Sequence, residues 1–62
     1  MSAMPTALSL LIVDDDPMMR LGLTAALGQQ ADFTIAGEAT NGREGVAQAS
    51  ALQPNIVLMD VG

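Results

Sequence analysis

The 62-residue chain has no cysteine, no histidine and no lysine, and its single aromatic side chain is Phe33. Without Cys there is no disulfide, and without Cys or His there is no structural zinc site to staple a small fold. Positive charge is nearly absent too: Arg20 and Arg43 stand against seven Asp and Glu, for a net charge of −5. Two separated cations make no basic patch, which excludes direct binding of this chain to nucleic acid or to an anionic membrane surface. Apolar runs such as Leu10 to Val13 are far too short to span a bilayer. The opening Met1-Ser2-Ala3-Met4-Pro5-Thr6 lacks the basic residues of a signal peptide, so a cytoplasmic location is expected.

What is present is apolar: half of the residues are hydrophobic and only 15% are charged, the composition of a packed chain and not of a disordered tail. The length is below the usual domain size of roughly 100–150 residues, so the chain is one small domain or part of one, with little stability to spare.

Residues 1–7 read as a flexible leader, with Ser, Pro and Thr and no periodicity. Leu8 to Val13 is a nearly unbroken aliphatic segment ending at Asp14, as expected of a strand buried on both faces. Asp16-Pro17 opens a helix, Asp as N-cap and Pro at the first helical position, where its missing N–H costs nothing. Met19, Leu23, Ala26 and Leu27 form one apolar stripe, which favours packing roles for Met18 and Met19, and Gly28 is expected to end the helix after Leu27. Phe33 to Ala39 is a weaker strand signal. Asn41-Gly42-Arg43-Glu44 approximates a capping box for a second helix, Gly42 to Leu52, closed by Pro54 and presenting Val46, Ala49 and Leu52 on one face. Arg43 and Glu44 otherwise suit a solvated face. Asn55 to Asp60 repeats the first strand, with Ile56 to Met59 expected to be buried.

The order is βαβαβ with helices of about three turns between strands, an α/β arrangement that argues for a parallel sheet through right-handed crossovers. In a doubly wound sheet of strand order 2-1-3, the first and third strands are neighbours, and ligands bind beyond their carboxyl ends. Asp14, Asp15 and Asp60 would converge there. Crowded carboxylates repel one another, and a donor set of oxygens alone favours a hard cation such as Mg²⁺. Spacing alone leaves a plainer reading open, because an acid after a strand also caps the next helix. Asp16 fits that role best, and Arg20, four residues on, is placed for a surface pair with it.

The segments Leu10-Leu11-Ile12-Val13-Asp14-Asp15-Asp16-Pro17 and Pro54-Asn55-Ile56-Val57-Leu58-Met59-Asp60-Val61, with Asn41-Gly42 between them, resemble the receiver domain of two-component response regulators. The likeness covers residues 8–62 and implies a partial flavodoxin-like fold. It also implies that Asp60 is the phospho-acceptor, taking a phosphoryl group from a phosphohistidine on a sensor histidine kinase. Asp14 and Asp15 fall on the acid pair that holds Mg²⁺ with Asp60, and Gly62 falls where the family supplies a backbone carbonyl to the metal. Asp16 to Leu23 further resembles the subgroup whose receivers precede a LuxR-type helix-turn-helix output domain, so DNA would be reached only through that domain.

Receivers also use a hydroxyl residue and a Lys on later strands, and this sequence contains neither. It therefore reads as the N-terminal half of such a domain, impaired as a 62-residue fragment and inclined to self-associate through its third strand. Two other readings are a haloacid-dehalogenase-like phosphatase with Asp14 as nucleophile, and an inactive chain that interacts only through that strand edge.

Overall fold

A computed structural model describes residues 7–60. Five elements follow in order: β1 (Leu8–Asp14), α1 (Pro17–Gly28), β2 (Phe33–Ala39), α2 (Gly42–Leu52) and β3 (Ile56–Asp60). The three strands are parallel and ordered β2-β1-β3, as the sequence pattern requires. Most of the expected leader, residues 1–6, and Val61 and Gly62 lie outside the described residues.

β1 is the central strand, which explains its composition. Leu10, Leu11, Ile12, Val13 and Asp14 are all buried, because a helix or a neighbouring strand meets every side of the segment. Leu11 and Val13 form a cluster with Ala39, against which Ala49 of α2 packs. Alternation then turns Leu10 and Ile12 to the opposite face, toward α1.

Two glycines let α2 approach the sheet. A Cβ on Gly45 would meet the Val13 γ-carbons at 2.9 and 3.2 Å, and one on Gly37 would meet Gln48 Oε1 at 2.5 Å and Leu52 Cδ1 at 2.8 Å. The register of β2 shifts by one residue: Leu10 pairs with Ile35, but Leu11 pairs with Gly37. This bulge reverses the phase of β2, so that Glu38 shares the α1 face with Ile35 while Gly37 and Ala39 face α2.

Both helix starts behave as their sequences demand. Asp16 Oδ1 accepts from the amides of Met18 (2.9 Å) and Met19 (3.4 Å). Asn41 Oδ1 accepts from the Glu44 amide at 2.9 Å. The return half of the box is displaced by one residue, since Glu44 Oε1 accepts from the amide and hydroxyl of Thr40 and not from the Asn41 amide. The ends differ from expectation. Gly28 is the last helical residue and Gln29 caps α1 in a right-handed conformation, whereas α2 ends on a left-handed residue, Gln53, at φ 50°.

Three packing expectations are corrected. α1 buries no residue: Met18 is 77% and Met19 52% exposed, so neither is a core side chain. Val46 is 69% exposed, so from that stripe Ala49 packs on the buried cluster and the half-exposed Leu52 lies against Gly37. Ile56 is half-buried, but Val57, Leu58 and Met59 are exposed, because β3 is paired with β1 on one side only. The apolar character of β3 suits a buried strand, but its edge place, which the expected order 2-1-3 implies, leaves it exposed.

Candidate functional site

The carboxyl ends of β1 and β3 are brought side by side by their register. Leu10 pairs with Ile56, and the ladder continues to a last pair, Asp14 with Asp60. Paired strands lie about 4.8 Å apart, so two carboxyl-bearing residues stand together at the end of the sheet. The register is fixed at the other end of the ladder by Asn55. Its Oδ1 accepts from the Ser9 amide (2.8 Å) and hydroxyl (3.1 Å), and its own amide lies 3.0 Å from both Ser9 Oγ and the Ser9 carbonyl. Asp14 and Asp60 each follow five residues after this clamp. Asn55 precedes β3 and is not its first residue, and the one sequence signal for its role is a side-chain amide between Pro54 and an aliphatic run.

Asp14 is 2% exposed. Its Oδ1 accepts from the Asp16 amide at 2.9 Å, tightening the turn out of β1. Its Oδ2 is buried without a hydrogen-bond partner. A carboxylate oxygen in that position is costly unless a donor or a cation meets it. Asp15 is exposed beyond the strand end, and Asp16 is committed to capping α1. Among the described residues, no group of three or more His, Cys, Asp or Glu side chains is arranged to hold a metal ion. The structure thus pairs Asp14 with Asp60 but does not gather Asp15 into a ready-made cluster, and Gly62 lies outside the described residues. Val13, Leu23, Leu58, Met59 and Asp60 line an open depression of about 220 Å³ beside the strand ends.

The expected Arg20–Asp16 surface pair does not form. Arg20 instead reaches across the sheet: Nη1 donates to the Asp14 carbonyl at 2.8 Å and Nε to Glu38 Oε1 at 3.2 Å. Asp16 is occupied by its cap, and the β2 bulge presents Glu38 to α1, so a tertiary partner displaces the local one. The Glu44 carboxyl titrates below its ordinary value. The Thr40 amide, and after it the Thr40 hydroxyl, hold its carboxyl below the usual range of 4.5, with a small opposing effect of burial and a minor contribution from Arg20.

A βαβαβ sheet ordered 2-1-3, with acids ending two adjacent strands, is consistent with a partial flavodoxin-like fold of the receiver type. The chain belongs to the response regulator receiver domain family, which it matches over residues 10–62. The family is one of two-component signalling, a signalling rather than a catalytic family. It is 38% identical over 53 residues to the nitrate/nitrite response regulator protein NarL of Escherichia coli (strain K12), covering 86% of this chain and 24% of that protein. It is 39% identical over 54 residues to the response regulator protein VraR of Staphylococcus aureus (strain Mu3), covering 87% of this chain and 26% of that one. The chain therefore spans about a quarter of the length of these relatives. No helix among the described residues is long and apolar enough to cross a membrane.

Proposed function

We propose that this chain is the phosphoryl-accepting part of a cytoplasmic two-component relay, with Asp60 as the acceptor and Mg²⁺ bound beside it. The observation that carries the reading is the Asp14–Asp60 register pair together with the partnerless Asp14 Oδ2. An Asp60 carboxylate oxygen attacks the phosphorus of a phosphohistidine on a sensor histidine kinase. The P–N bond breaks, its electron pair stays on the imidazole nitrogen, and Asp60 becomes an aspartyl phosphate.

The residues fit the metal. The donors are all oxygen, and Mg²⁺ binds through one or two carboxylates plus water and substrate phosphate, so a preformed cage of three acids is not required. Asp14 and Asp60 would hold the ion, with Asp15 through its exposed carboxylate and the Gly62 carbonyl as the family pattern implies. Bound there, Mg²⁺ neutralises the charge that builds on the transferring phosphoryl group. Asp14 is fixed through Oδ1 by the Asp16 amide, and its second oxygen has no hydrogen-bond partner, which supports that role.

In a longer protein the output would be transcription regulation, and DNA would be bound by a helix-turn-helix domain outside this chain, whose own charge of −5 opposes such contact. The exposed apolar edge of β3 supports a second property, self-association of the 62-residue chain. The test of the main reading is uptake of beryllofluoride with Mg²⁺, followed by backbone amide NMR. Shifts centred on Asp14 to Asp16 and on Met59 and Asp60 support it. A folded chain whose amides do not move favours the inactive chain that interacts only through its edge.

A further inference from the structure

Among the polar contacts at the end of the sheet, those of Arg20 are the least expected. Three consecutive acids, Asp14 to Asp16, precede it closely in sequence, yet its guanidinium bonds a backbone carbonyl and a distant glutamate. The carbonyl belongs to Asp14, so the bond fixes the peptide that joins Asp14 to Asp15 and thereby the directions in which both side chains leave the strand end. A second bond, from the Asp16 amide to Asp14 Oδ1, fixes the same turn from the other side. Glu38 completes the arrangement. It reaches Arg20 only because the β2 bulge turns it to the α1 face, and its carbonyl is held by Gln48 of α2. The Arg20 side chain is 19% exposed, against 43% for Glu38, so the ion pair is partly shielded from water.

We propose that Arg20 is a positioning residue for the cation site: it orients the end of β1, and Glu38 occupies its charge so that it does not compete with a divalent ion for the acids. This rests on the proposed function, since it assigns roles around the same crevice. Lysine would not substitute, because holding a carbonyl and a carboxylate at once needs the planar fork of a guanidinium.

The experiment is Mg²⁺ titration of the full 62-residue chain by calorimetry at low salt, with amide NMR to verify folding. Removing the outer partner of a metal site typically weakens binding by about 10–100-fold. The expected result is a loss of about tenfold or more in Mg²⁺ affinity in Arg20→Ala, at the lower end of that range, not recovered in Arg20→Lys. Glu38→Gln, which leaves the Arg20 charge unmatched, also weakens binding, but adds nothing in the Arg20→Ala background. Thr24→Ala, which removes the 2.8 Å bond from the Thr24 hydroxyl to the Arg20 carbonyl, perturbs the helix without changing affinity. Wild-type affinity in folded Arg20→Ala, or additive losses in the double variant, overturns the proposal. If Arg20→Ala does not fold, Glu38→Gln decides alone, and unchanged affinity there overturns it. A wild-type chain that binds no Mg²⁺ overturns the proposed function and this inference together, whereas wild-type binding with indifferent variants overturns only the inference.

Discussion

Asp14 and Asp60 are the last register partners of two adjacent parallel strands, one buried at the centre of the sheet and the other at its edge. The pairing depends on residues far from either acid in sequence, because a slip of one position would turn every side chain of β3 to the opposite face. Ser9 and Asn55 prevent that slip.

Replacing Asn55 with Ala removes the contacts of its side chain with Ser9 while keeping the backbone. A loss of about 0.5–1.5 kcal/mol is expected, the usual net value of a hydrogen bond, measured by urea denaturation. Amides of β3 should lose protection from hydrogen exchange ahead of those of β2. Unchanged stability and protection would remove Asn55 from its role in setting register.

Two helical glycines should respond with opposite signs. Gly22 in α1 has nothing within 4 Å of an added Cβ, so Gly22→Ala should stabilise the chain by about 0.5–1 kcal/mol through helix propensity. Gly45 in α2 has Val13 at 2.9 Å, so Gly45→Ala should destabilise by about 1–2 kcal/mol despite the same gain in propensity. Equal shifts in the urea midpoint for the two variants would contradict the close approach of α2.

The Glu44 cap carries a pH dependence of known sign. Its carboxyl titrates below the ordinary 4.5 in the folded chain because the Thr40 amide and hydroxyl favour the charged form. Its contribution is therefore complete above that ordinary value and is lost as pH falls through the lowered folded value. The Thr40 amide resonance should follow this titration with a midpoint below 4.5, and Glu44→Gln should abolish it. A midpoint at or above the ordinary value would refute the assignment.

The outer edge of β3 exposes Val57, Leu58 and Met59. The 62-residue chain should elute from gel filtration as associated species, and Val57→Lys should shift it toward monomer, since a charge on an edge strand opposes edge-to-edge pairing. A monodisperse wild-type monomer would contradict this.

The architecture was legible because its signals are strong and local. Asp16-Pro17 and Asn41 through Glu44 are helix starts with a mechanism, and Leu10 to Val13 has no plausible place but a central strand. The acids at both strand ends were legible for the same reason. What escaped was whatever depends on neighbours distant in sequence. Arg20 was matched with Asp16 by helical spacing, and the bulge that delivers Glu38 to it leaves no mark in Phe33 to Ala39. Met18 and Met19 stand on a helix whose apolar stripe packs on the sheet through Leu23 and Leu27, but both are exposed themselves, while the edge position of β3 was already implied by the strand order.

In the proposed function the acids at these strand ends divide their labour, Asp60 accepting phosphorus and Asp14 holding the cation beside it. Treatment of the folded chain with acetyl phosphate, with Mg²⁺ and then with the metal chelated, followed by peptide mass mapping, tests it directly. The account predicts a phosphoryl group on Asp60 that disappears on chelation and in Asp60→Asn; label on Asp14, or on Asp60 regardless of Mg²⁺, would contradict it.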